Sequence, residues 1–281
     1  MRLSQSTFVY FNYPLKEAVK RIAEAGYEGV EIWGGRPHAY RDDLTKNELK
    51  DIRSLIKDEG LEVSAFIPAQ FRYPTSLVNP KEKVRNDSID YIKKSFSAAI
   101  ALGTHKVTVC PGHTLFGQSF ENGWELLKES LGKLIEYAQQ YDITLLLEPA
   151  HKMESDLVIT VNDALKIIRE VGSSNIGVLL DTGHCAVNKE ALVDCIKKIT
   201  TSEYIFHIHI DDNNRVMDEH LIPGEGKINF ISFLKELKKI NYQGFLTIEL
   251  GFQYTVDPDA AVYKSREFLL DQMKKIEETT R

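Results

Sequence analysis

The chain of 281 residues carries 35 Lys and Arg against 41 Asp and Glu, a net charge of −6, with 43% hydrophobic and 27% charged residues. That balance is typical of a water-soluble globular protein with a large core, and it lacks the basic footprint that would make nucleic acid an expected partner. No run approaches 18 uninterrupted apolar residues, MRLSQSTFVYF is no signal peptide, and Cys110, Cys185 and Cys195 have no CxxC spacing, so the expectation is a cytoplasmic protein with free thiols and no membrane partner.

Short apolar runs alternate with amphipathic stretches along the whole chain. Strands are expected at 3–10, 29–33, 62–67, 106–110, 144–148, 176–181, 204–210 and 245–250. Helices are expected at 14–25, 45–59, 80–102, 121–141, 161–171, 189–199, 229–240 and 257–278. Pro14 stands where a first-turn proline is tolerated, and Gly26, Gly60, Gly103 and Gly172 stand where helices stop. Eight βα units in a chain of this length predict an α/β fold, a (β/α)₈ TIM barrel forming a single domain over residues 1–281. A doubly wound sheet is the alternative, but it often carries a glycine-rich phosphate turn after its first strand, where this chain has YFNYPL.

Four apolar runs end on a polar residue: TLLLEP on Glu148, IGVLLD on Asp181, YIFHIHID on His209 and FLTIEL on Glu249. In such a barrel the strand ends form the working mouth. An ionised carboxylate taken out of water costs several kcal/mol unless a metal, a cation or hydrogen bonds compensate it. Two Glu, one Asp and one His at matching strand ends therefore predict an oxygen-rich site for one divalent metal ion. His207, two residues before His209 on the same face, is expected to sit deeper, in a supporting position.

The motifs LEPAHKME (147–154), LDTGH (180–184), HIHIDDNNR (207–215), HLIPGEGK (220–227) and TIEL (247–250) give the chain a family resemblance. It resembles the sugar phosphate isomerase/epimerase superfamily of xylose-isomerase-like barrels, which also contains the type IV apurinic endonucleases. Likeness to the ketose 3-epimerases of that superfamily implies metal ligation by Glu148, Asp181, His209 and Glu249. Mn²⁺ is the implied ion, with Co²⁺, Mg²⁺ or Zn²⁺ as alternatives. It implies that Glu148 and Glu249 are also the catalytic acid/base pair, and that His184, Arg215 and Glu154 orient the sugar hydroxyls. Inverting a carbon beside a carbonyl needs a proton removed from one face and returned to the other, which is work for two such carboxylates.

A narrower likeness, to the fructoselysine 3-epimerase type, lies in EIWGGRPHAY (31–40) and DEHLIPGEGK (218–227). It implies that Trp33 offers an apolar wall and that Arg36 and His38 meet a polar or anionic substituent of the substrate. The endonuclease likeness implies a second metal at His184, Asp218 and His220. A third is incomplete, because Cys110 stands in VCPGH where a histidine would be expected, IPAQF (67–71) supplies none, and His113 could substitute only if its loop bends back. The expected partner is a small-molecule sugar; a homo-oligomer is left open. An aldose–ketose isomerase on the same barrel and a metal-dependent phosphodiesterase are the competing activities.

Overall fold

Eight parallel strands close on one another in chain order, β1 pairing with β2 on one side and β8 on the other. They are β1 (Arg2–Ser6), β2 (Gly29–Gly34), β3 (Glu62–Pro68), β4 (Lys106–Val109), β5 (Thr144–Leu147), β6 (Ile176–Asp181), β7 (Phe206–Ile210) and β8 (Phe245–Ile248). The computed structural model describes residues 1–70 and 75–278, so Phe71 of IPAQF lies outside the described residues. The surrounding helices are α1 (Leu15–Glu24), α2 (Lys46–Asp58), α3 (Glu82–Leu102), α4 (Phe120–Gln139), α5 (Val161–Val171), α6 (Thr182–Val187), α7 (Leu192–Thr201), α8 (Phe230–Lys239) and α9 (Pro258–Glu278). The expected (β/α)₈ barrel is the fold. Among the described residues no helix is long and apolar enough to cross a membrane.

Local chemistry accounts for the helix limits. Thr45 and Glu48 form a reciprocal capping box at the start of α2, as Thr160 and Asp163 do for α5, each satisfying backbone N–H groups that the first turn leaves open. Gly103 and Gly172 end α3 and α5 at positive φ, where a side chain would be strained. Val161, Ala164, Leu165 and Ile168 repeat at helical spacing and bury one face of α5.

Outward-facing strand residues such as Leu145, Leu147, Val178 and Leu180 join the helices in the large apolar core. Inside the barrel, Leu146, Leu179 and Ala65 form a small separate cluster. The rest of the interior is polar. Buried Ser4, Ser64 and Thr247 bond to one another through their hydroxyls, at 2.8 and 3.3 Å.

Two expectations about the elements are corrected. The first strand stops at Ser6, four residues early, because the Ser6 hydroxyl accepts the N–H of Phe8 and caps a 3₁₀ turn over Thr7–Tyr10. The helix expected at 189–199 is α7, beginning at Leu192, and the short α6 precedes it directly after β6. Asp181 makes that extra helix, its Oδ1 accepting the N–H of His184 at 2.7 Å as an N-cap.

Gly177 in β6 shows how closely the strands approach. A Cβ there would run into the carbonyl oxygen of Ile205, which accepts the N–H of Val178. Gly177→Ala is expected to destabilise the fold by about 1–3 kcal/mol. Each kcal/mol should appear as a fall of about 2–4 °C in the thermal midpoint by calorimetry. An unchanged midpoint would show that β6 and β7 can part without cost.

Candidate active site

Four side chains converge over the C-terminal end of the barrel. Glu148 follows β5, Asp181 ends β6, His209 lies in β7 and Glu249 follows β8, and one donor atom from each lies within 4.8 Å of all the others. His209 Nδ1 is 2.8 Å from Glu249 Oε2, 3.9 Å from Glu148 Oε1 and 4.0 Å from Asp181 Oδ2. Neither His209 Nδ1 nor Asp181 Oδ2 has a hydrogen-bond partner, although both are buried. Two orphaned polar atoms facing two further carboxylates is the arrangement a divalent cation would satisfy, and three oxygens with one imidazole is a donor set suited to Mn²⁺, Mg²⁺ or Co²⁺. The residues fit such an ion.

The two glutamates are not electrostatically equivalent. Burial pushes the Glu148 carboxyl up to about 8, with His184 and His209 pulling against it and Asp181 and Glu249 adding to it. Burial also acts to raise Glu249, but His209 outweighs it and holds this carboxyl below its ordinary value. Beneath them, Glu31 Oε2 lies 3.0 Å from His209 Nε2 and 3.2 Å from His207 Nε2. Burial works to raise Glu31, yet His209 and His207 hold it down at about 2.

A second cluster adjoins the first. Asp218 Oδ2 lies 2.8 Å from His220 Nε2, 3.4 Å from His184 Nε2 and 3.4 Å from His151 Nε2. Burial disfavours the Asp218 carboxylate, but His220, with His151 and His184, keeps it far below the usual range. Both His184 and His220 are raised well above the ordinary imidazole value; burial opposes this, and Asp181 with Asp218 overcomes it for His184, Asp218 with Asp211 for His220. Glu154 stands 3.7 Å from His151 and 3.8 Å from His184, its carboxyl raised by burial. The loop bearing Asp218 and His220 is gathered on Asp212, whose Oδ2 accepts the N–H groups of Gly224 and Gly226 and whose Oδ1 accepts those of Asn213 and Ile228, at 2.9 to 3.0 Å.

Both clusters open into one cavity of about 620 Å³, lined by Glu148, Glu249, Glu154, His184, Asp218 and His220 on one side. Phe8, Trp33 and Phe252 form its apolar wall, with Phe8 4.9 Å from Trp33 and 4.8 Å from Phe252 between ring centroids. Trp33 is therefore where the sequence reading put it.

Three other expected residues are elsewhere, and each placement corrects the reading. Arg36 does not line the cavity: its guanidinium grips Asp43 through two bonds of 2.5 and 2.9 Å and lies over the Tyr40 ring, and its side chain is 70% exposed. His38 is buried, its ring bonding to Thr7 Oγ1 and the carbonyl oxygens of Tyr10 and Tyr13, so it ties the loop after β2 to the segment after β1. Arg215 is exposed and borders a separate pocket of about 180 Å³ beside α7 and α8. The reason lies in Asn213, which turns inward to the Gly183 carbonyl and accepts the Arg215 N–H, reversing the chain at a positive φ.

Sequence reading missed His151 and Glu31. His151 gave only a weak signal, its position three residues before Glu154 in a loop. Glu31 gave a clear one, a carboxylate inside the apolar run GVEIW, to which the argument used for Asp181 applied equally. His113 accepts no place in either cluster; its Nδ1 lies 2.9 Å from the Thr114 carbonyl, and Cys110 occupies the cavity edge 3.9 Å from Glu148 Oε2.

A closed parallel barrel with buried carboxylates and imidazoles gathered at its strand ends defines a barrel enzyme acting on a small polar molecule. The chain belongs to the xylose isomerase-like TIM barrel family, which matches residues 19–272. It is 30% identical over 258 residues to fructoselysine 3-epimerase of Escherichia coli O157:H7, covering 92% of this chain and 93% of that one. It is 23% identical over 241 residues to D-psicose 3-epimerase of Agrobacterium fabrum, covering 82% and 77%. The crystal structure of a D-tagatose 3-epimerase-like protein superposes with a TM-score of 0.87 at 26% identity over the full length of both chains. The protein is accordingly an enzyme of the isomerase class, a carbohydrate epimerase.

With Arg36 bound to Asp43, Arg36→Ala is expected to leave KM unchanged within about twofold for sugars with and without an anionic tail, since an exposed pair contributes about 0–1 kcal/mol. Steady-state kinetics on one sugar of each kind measures this. A loss confined to the tailed sugar would return Arg36 to the binding site.

Proposed function

We propose that the protein inverts C3 of a ketose or a fructosamine through an enediolate, in a reaction that depends on a divalent metal ion. The observation that carries this is the order of the four side chains around the barrel: Glu148 after β5 and Glu249 after β8 flank Asp181 and His209. Two carboxylates entering one centre from its two sides suit a reaction in which one removes the C3 proton and the other returns a proton to the opposite face. Glu148 with its raised proton affinity and Glu249 with its lowered one are the kind of pair that divides acid and base roles. A divalent ion held by Glu148, Asp181, His209 and Glu249 would polarise the carbonyl and hydroxyl oxygens and offset the negative charge that proton removal creates. Mn²⁺ is the ion we assign, with Co²⁺, Mg²⁺ and Zn²⁺ as competitors.

His184 and Glu154 line the cavity beside this centre and are assigned to the sugar hydroxyls. A second ion on His184, Asp218 and His220 has support from ring orientation. His184 Nδ1 faces the Pro149 carbonyl at 3.1 Å and His220 Nδ1 faces the Glu249 carbonyl at 3.3 Å, which leaves both Nε2 atoms turned to Asp218. Substrate tails, amine-linked ones included, are assigned to the wall of Phe8, Trp33 and Phe252, the positions of Arg36 and His38 having removed the basis for an anionic subsite there. The resemblance to a fructoselysine 3-epimerase supports a fructosamine. The three free cysteines accord with a cytoplasmic enzyme.

Glu148→Gln and Glu249→Gln are each expected to lower kcat by about 100- to 10,000-fold, because an amide cannot accept the proton. Metal content must be measured in parallel, by elemental analysis of dialysed protein, where the native enzyme should retain one or two ions per chain. Near-normal turnover in either variant would remove that residue from the pair.

Proton NMR in deuterated water, with a panel of ketoses and fructosamines, tests the reaction itself. Deuterium at C3 with inversion is the expected result. Uptake at C1 or C2 with formation of an aldose would make the enzyme an isomerase instead.

A further inference from the structure

Below the four-residue centre lies a buried polar column with no place in the proton transfers above. It starts at His209, whose Nε2 lies 3.0 Å from Glu31 Oε2. The same oxygen is 3.2 Å from His207 Nε2, and that nitrogen is 3.1 Å from Thr247 Oγ1. From Thr247 the contacts pass to Ser64 at 3.3 Å and on to Ser4 at 2.8 Å. Every member is at least 97% buried, and Glu31, His207 and His209 are wholly so. A carboxylate in such a place is expensive, and nothing about the barrel's closure calls for one.

The geometry at His209 gives the carboxylate a purpose. An imidazole that ligates a metal through one nitrogen carries its hydrogen on the other, and an acceptor placed there fixes the orientation of the ring. Glu31 Oε2, 3.0 Å from Nε2, is the acceptor on that side, and Nδ1 is thereby turned toward Glu148, Asp181 and Glu249. Nδ1 is itself buried with no hydrogen-bond partner. His207 holds the same oxygen from the other side, so the His209 ring cannot turn without giving up its bond to Glu31.

We infer that Glu31 is a positioning residue for the metal centre, fixing the ring of His209 with Nδ1 toward the donor set, and that His207 and Thr247 hold Glu31 in place. The inference rests on the metal reading of the Glu148, Asp181, His209 and Glu249 cluster. A carboxylate behind a ligating imidazole both orients the ring and makes it a stronger donor.

The test is a calorimetric titration of metal-free protein with Mn²⁺, on the native chain, Glu31→Gln and Glu31→Asp. The amide keeps the shape and loses the charge; the shorter acid keeps the charge and loses the reach. Both variants should bind Mn²⁺ about 10- to 100-fold more weakly. Their kcat should return to near the native value at saturating Mn²⁺, since the role lies in holding the ion. Having two variants keeps the test open if one fails to fold. Affinities within twofold of native in the folded variants would overturn the inference, as would a drop in the thermal midpoint of metal-free protein with no change in affinity, which is the mark of a structural role alone. If the native chain takes up no Mn²⁺, the metal reading falls and this inference with it; if the native chain binds and the variants match it, only the inference falls.

Discussion

Charge crowding around one point governs this molecule. Glu148, Asp181 and Glu249 bring three carboxylates within 4.8 Å of His209 Nδ1, and Glu31 adds a fourth on the far side of the same ring. Removing an ion from water carries a penalty of several kcal/mol even after relaxation, and like charges at this spacing add to it. Burial raises the Glu148 carboxyl, while the neighbouring carboxylates raise His184, His209 and His220 against the opposing effect of burial. The donor set of Glu148, Asp181, His209 and Glu249 is one that a divalent ion would satisfy. The barrel supplies the stability that such a concentration of charge consumes, through the apolar core between strands and helices.

The polar interior is the complement of that crowding. Ser4, Ser64, Thr247 and His207 occupy positions that barrels of this kind usually fill with branched aliphatic side chains. Their hydroxyls and His207 Nε2 bond to one another and to Glu31 Oε2, while Glu31 Oε1 and His207 Nδ1 stay buried without a hydrogen-bond partner.

The alternation of strands and helices was legible because burial imposes a period of 2 or of 3.6 on the sequence, and glycines such as Gly103 and Gly172 punctuate it. The four residues of the central cluster were legible for a related reason: a charged residue ending a fully apolar strand is costly, so its presence announces a partner. What the sequence did not disclose was the direction of loop side chains. Arg36 and His38 stand at the mouth in sequence, but Asp43 captures the first and three oxygens of the β1–α1 segment capture the second, contacts that depend on how a loop folds back. Arg215 was hidden in the same way, by a positive φ at a position with no glycine to betray it. Glu31 was overlooked, although GVEIW contains the same sign as IGVLLD.

Asp212 bears on how the mouth of the cavity is held together. Four backbone N–H groups from residues 213–228 end on its carboxylate, and a hydrogen bond to a charged acceptor contributes about 1.5–3 kcal/mol. The segment carrying Asp218 and His220 is thereby wound around a single side chain, and unwinding it would break all four bonds. The turn that carries Phe252, itself 62% exposed, is tied to the same segment: the Gly251 N–H donates to the His220 carbonyl at 3.1 Å and Gln253 Nε2 to the Glu219 carbonyl at 2.7 Å. The aromatic wall and the acidic–imidazole side of the mouth are therefore joined through backbone bonds, and the anchor at Asp212 reaches both.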